Sequence, residues 1–191
     1  MATFSAAKRR NVSPVSSTLN VTTRDIDCSA MGHRPEDGEW VPQDGDPASG
    51  VDWFAATHDL VGATSRNASS IAMVWSSAQR SDRQALNDTR VPVLAHGGIE
   101  VELKLYECTG NVLAAFPVGS LVTLIAATEA LTNVANDAPA NNRLVCTPLP
   151  TDQVGWAVGY VISAPDVTAA DDQAITIFVY DKPRFVSDVN K

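Results

Sequence analysis

The chain has 191 residues, long enough for one domain with a sizeable core, and its 45% apolar and 19% charged residues mark a folded protein, which excludes disorder of the whole. No run approaches the roughly 18 consecutive apolar residues of a membrane-spanning helix, and no apolar core follows the first charges as a signal peptide requires, so synthesis and assembly in a cytoplasm are expected. The net charge of −8 is segregated: residues 1–24 hold Lys8, Arg9, Arg10 and Arg24 and no acid, while the remaining residues carry 22 acidic side chains. An acidic body repels phosphate, so no nucleic-acid groove is expected on the folded domain, while the leader's four cations suit either a contact with nucleic acid or, the favoured reading, an arm lying on an acidic protein surface.

Residues 1–36 are rich in Ser, Thr, Asn and Arg, lack a sustained apolar period and are interrupted by Pro14 and Pro35, which predicts an extended basic arm. Within it, Thr18 to Ile26 alternates weakly and is expected to add a strand to a sheet edge, the chain's own or a partner's. Residues 37–191 are expected to form the β-rich domain. It opens with Gly38-Glu39-Trp40-Val41, followed by the turn residues Asp44-Gly45-Asp46-Pro47 and the aromatic pair Trp53-Phe54.

Ile71 to Trp75 is a compact apolar strand, and Ser76 to Arg90 a polar connection. After Gly97-Gly98, apolar Ile99, Val101, Leu103 and Leu105 alternate with Glu100, Glu102, Lys104 and Tyr106, the period of a half-buried strand. Thr109-Gly110-Asn111 reads as a turn, Pro117-Val118-Gly119 leads into a strand from Ser120 to Ala126, and Thr128 to Arg143 is an Ala/Asn-rich surface loop. Three final strands follow, over Arg143 to Leu149, Gly155 to Ala164 and Ala174 to Tyr180. Seven or eight strands with little helix predict a mainly β fold, a small antiparallel β-barrel or sandwich with an extended N-terminal arm.

Chemistry-bearing patterns are sparse. Cys28, Cys108 and Cys146 are far apart with no C-x-x-C pair, so reduced, partly buried thiols are expected and no disulfide framework. The three histidines, His33, His58 and His96, do not fall at the i, i+4 spacing of a helical metal pair. Asp44, Asp46, Asp52 and Asp59 open like a calcium loop but lack its Gly at the sixth position and Glu at the twelfth, so a solvated turn is expected. There is no G-x-S-x-G, no P-loop and no dinucleotide fingerprint. Glu100 and Glu102 share one strand face, but Lys104 and Tyr106 continue it, as on any wet face. No catalytic residue, cofactor or metal is therefore predicted. Trp40, Trp75 and Trp156 sit in apolar runs as core residues would, whereas Trp53 and Phe54, flanked by loop residues, suit an interface anchor.

Taken in order, Gly38-Glu39-Trp40-Val41, the Gln79 to Leu86 segment, Val91 to Glu107, the strand entry at Val118 and the Val158-Gly159-Tyr160-Val161 strand resemble a type of small virion protein of tailed bacteriophages, the capsid decoration (cement) and related structural proteins. The resemblance spans roughly residues 38–186 and rests on order and texture. The chain departs from it in the Ala/Asn loop and in the basic leader. It implies a non-enzymatic role: binding the outer surface of the major capsid protein lattice, on the virion, as one of several copies associated as dimers or trimers, with assembly in the host cytoplasm. On this reading Lys8, Arg9, Arg10 and Arg24 would contact acidic groups on the shell or a neighbouring copy, and Trp53 and Phe54 would fill an apolar pocket at a contact. A tail-tube or other tail structural protein shares the same β-rich text. A carbohydrate-binding module, stacking sugars on exposed aromatics such as Trp53, is the third reading.

Overall fold

Alternation of apolar and polar residues sets most of the architecture. The computed structural model describes residues 12–15, 22–27, 37–42, 71–75, 90–126, 144–168 and 173–187. Ten strands occur among them: β1 (Val12–Pro14), β2 (Thr23–Asp27), β3 (Trp40–Pro42), β4 (Ile71–Met73), β5 (Arg90–Leu94), β6 (Ile99–Leu103), β7 (Leu121–Ala126), β8 (Leu144–Pro148), β9 (Gly155–Ser163) and β10 (Ile175–Val186). A four-residue helix, α1 (Val112–Ala115), lies between β6 and β7. Eight strands form one sheet in the order β1-β6-β10-β9-β7-β8-β3-β4, and β2 pairs with β5. The sheet is antiparallel and curls into a half-barrel, the mainly β fold that the sequence predicts.

Strand β6 shows the principle. Val101 and Leu103 are fully buried while Glu100 and Glu102 are exposed, and on β10 Ile175, Ile177 and Val179 point into the same core. Trp40 and Trp75 are buried there too, as their apolar surroundings predict, but Trp156 is half-buried and packs on Phe185 at 5.4 Å. After β6 the chain runs on to β8. Tyr106 forms a parallel bridge with Cys146 of β8, and the Glu107 N–H donates to the Cys146 carbonyl at 2.8 Å.

Helix α1 then seals that side. Asn111, read from sequence as a turn residue, is its N-cap: the side-chain oxygen accepts from the Ala114 N–H at 2.9 Å, and the side-chain amide donates to Asp166 at 2.9 Å. Phe116, fully buried, meets Tyr106 edge-on with 5.2 Å between ring centres.

The two ends of the curled sheet converge on one stretch of chain. Val93 of β5 bridges Val74, and the Trp75 N–H donates to the Pro92 carbonyl, so β5 continues the β4 end of the sheet. β6 lies toward the opposite end, and only residues 95–98 separate the two strands. The predicted arm is tied to this same stretch: β2 pairs with β5 from Thr23↔Leu94 to Asp27↔Arg90, and β1 with β6 from Val12↔Leu103 to Pro14↔Val101. Of the weakly alternating Thr18 to Ile26 segment, Thr23 to Ile26 lie in β2 and pair within the chain, while residues 18–21 lie outside the described residues.

Candidate interaction surface

Strand β10 is built around a bulge. Val179 pairs with Gly159 of β9, but the next paired residue, Arg184, is opposite Ala157, so residues 180–183 loop out of the ladder. Pro183 sits in the bulge, where its missing N–H costs no ladder hydrogen bond. The bulge turns Tyr180, Asp181 and Lys182 toward residues 95–98. There the Gly97 N–H donates to the Asp181 carboxylate at 3.2 Å and the Gly98 N–H to the Val179 carbonyl at 2.7 Å.

A cleft of about 250 Å³ opens beside this contact, with Trp40, Met73, Leu94 and Val179 among its walls and His96 and Lys182 at its rim. His96 Nδ1 is 3.9 Å from Asp181, both side chains being largely exposed at 77% and 63%. Such a pair is a surface ion pair when the imidazole is protonated, worth little in water. Among the described residues no Ser, Thr or Cys lines the cleft; its polar side chains are those of Tyr180, Asp181, Lys182 and His96, besides the Trp40 indole.

The outer face of the sheet is more distinctive. Residues directly opposite in a ladder share a face. Glu100 lies opposite Phe178, Phe178 opposite Tyr160, and Tyr160 opposite Leu121; beyond the sheet's edge strand, the Val15 N–H donates to the Glu100 carbonyl at 3.2 Å. Val15, Glu100, Phe178, Tyr160 and Leu121 therefore form one row across β1, β6, β10, β9 and β7, roughly 19 Å long at about 4.8 Å per strand. Phe178 and Tyr160 are half-buried and stacked, with ring centres 5.2 Å apart and planes at 25°. Tyr180 joins them at 6.0 and 6.2 Å, and the Arg184 guanidinium lies 4.1 Å above its ring. Val15 is 47% exposed. Burial pushes the Tyr180 hydroxyl up from its ordinary range, against the opposing pull of Arg184.

Of the site residues predicted from sequence, Lys8, Arg9, Arg10, Trp53 and Phe54 lie outside the described residues, as do the Asp44 to Asp59 stretch, His33 and His58. Arg24 lies in β2 opposite Val93. Sequence reasoning passes over Tyr160, Phe178 and Tyr180, although period two carries a signal for them: they alternate with the inward Val161, Ile177 and Val179. Cys108 and Cys146 are buried and form no disulfide. Burial raises both, Cys146 to about 12, which makes them packing groups and poor nucleophiles. Among the described residues no group of three or more His, Cys, Asp or Glu is placed to hold a metal ion.

No protein-family model, no curated protein and no solved structure matches the chain.

Proposed function

We propose that the protein is a virion structural protein that binds the outer surface of the major capsid protein lattice and stabilises the phage head. The observation that carries this reading is the join between arm and body: a basic, acid-free leader runs into β1, which is laid on the edge of an acidic β domain. A lattice clamp needs such a body, a reaching segment and segregated charge, because many weakly held copies gain strength through multivalent attachment. The stacked outer-face aromatics add an apolar patch of the kind that anchors protein contacts.

The test is binding of the purified full chain to purified phage shells from which decoration has been stripped. Saturable occupancy at repeated lattice positions in cryo-EM, with a raised temperature of shell opening, is the expected result. Failure to co-sediment with shells at any concentration counts against the role, and spontaneous growth of rings or tubes by the isolated protein would move it to the phage tail.

A further inference from the structure

The outer-face row has a composition that asks for a particular occupant. Its centre is aromatic, its β6 position is the exposed Glu100, and the next β6 residue on that face is the exposed Glu102. Glu100 makes no ion pair among the described residues. A ligand suited to this face is an extended segment with an apolar side chain followed by clustered cations. Arg184 over Tyr180 shows that the face accommodates a guanidinium on its rings.

The chain itself contains such a segment. Residues 1–11 read Met-Ala-Thr-Phe-Ser-Ala-Ala-Lys-Arg-Arg-Asn, with Phe4 ahead of Lys8, Arg9 and Arg10 and no acid. Extended, they reach roughly 36 Å, well beyond the roughly 19 Å of the row. Direction favours another copy as the donor. Val12 pairs with Leu103, so the leader enters β1 at the Leu103 end of β6, whereas the aromatic row crosses β6 at Glu100, three residues toward the other end. To reach its own row the leader would have to double back over β1; a neighbouring molecule presents it without that reversal.

We propose that residues 1–11 of one copy dock across the Val15–Glu100–Phe178–Tyr160–Leu121 row of the next, Phe4 against the stacked pair and Lys8, Arg9 and Arg10 against Glu100 and Glu102. This deepens the proposed role by naming how adjacent copies grip one another. It rests on that reading only for the setting in which copies meet, and its test needs no shell.

The test is charge exchange in the full chain, read by sedimentation velocity at low ionic strength. One variant reverses the leader (Lys8→Glu, Arg9→Glu, Arg10→Glu), the other the face (Glu100→Lys, Glu102→Lys), and circular dichroism with a melting curve establishes that both are folded. The wild-type chain is expected to self-associate, and each variant alone to associate at least about tenfold more weakly. An equimolar mixture of the two variants should recover mixed oligomers, and 0.5 M salt should weaken both associations. A wild-type chain that stays monomeric, a reversed leader that associates as well as wild type, or folded variants that ignore each other in the mixture would each overturn the proposal. Shell binding that persists in such a case would leave the proposed role standing without this contact.

Discussion

Gly97 stands against the backbone of Tyr180 so closely that a Cβ on it would lie 2.0 Å from the Tyr180 carbonyl oxygen and 2.5 Å from the Asp181 nitrogen. Backbone cannot move aside as a flexible side chain can, so this contact requires glycine. Gly97→Ala is expected to destabilise the protein by about 2–4 kcal/mol, lowering the melting temperature by roughly 5–15 °C. Gly98→Ala acts differently: its φ of +76° is strained for alanine, but the added carbon meets nothing within 4 Å. A smaller loss of about 1 kcal/mol is expected there, and equal losses at the two positions in calorimetry would disprove the close-approach argument.

Asn111 serves two partners at once, the Ala114 N–H and the Asp166 carboxylate. Asn111→Ala should cost about 1–2 kcal/mol by removing the cap and orphaning its partners. Asn111→Asp keeps the capping oxygen but sets a second carboxylate against Asp166, so its deficit should shrink in the Asp166→Asn background. A double-mutant cycle by urea unfolding measures that coupling.

Phe116→Ala opens a cavity in the core beside Tyr106. The ring is fully buried and touches Tyr106 edge-on, so a loss of about 3–5 kcal/mol is expected. Phe178→Ala removes a half-buried outer-face ring stacked on Tyr160 and should cost only about 1–2 kcal/mol. Chemical denaturation of both variants checks the ranking, and a Phe178 loss as large as that at Phe116 would mean that the outer row is core.

The Cys146 thiol, raised by burial from 9.0 to about 12, makes stability depend on alkali. The folded state holds this proton more tightly than the unfolded chain, so its contribution is fully present below pH 9 and is lost as pH rises toward 12. At its steepest the loss is about 1.4 kcal/mol per pH unit. Relative to Cys146→Ala, the wild-type protein should therefore lose stability faster between pH 9 and 11; parallel curves in urea titrations across that range would count against it.

Much of the body was legible in the residues because burial on one face writes itself as alternation. Ile99 to Leu103 alternates and is β6, and the strands read at Gly155 and Ala174 are β9 and β10. The last strand is read as ending at Tyr180, yet β10 runs on to Val186, because a bulge absorbs Pro183 that a regular ladder would exclude. Helix α1 is not read at all: four apolar residues are too few to show a period. Partner choice leaves no local trace, so the sequence permits a strand near Arg24 to pair either within the chain or outside it; in the structure it pairs with β5. The outer-face aromatics were the least legible. Trp53 and Phe54 draw notice as an adjacent pair, whereas Phe178 and Tyr160 meet only once β10 is laid beside β9.

Pairing of the arm also orders events during synthesis. The partner of Val12 is Leu103, made about 90 residues later, which at 5–20 residues per second is a delay of roughly 5–18 s. Through that interval β1 has no edge to join. Pairing of β1 therefore waits on the appearance of β6, which makes premature strand pairing between nascent chains a hazard of early translation and places completion of the sheet late in the molecule's own biogenesis.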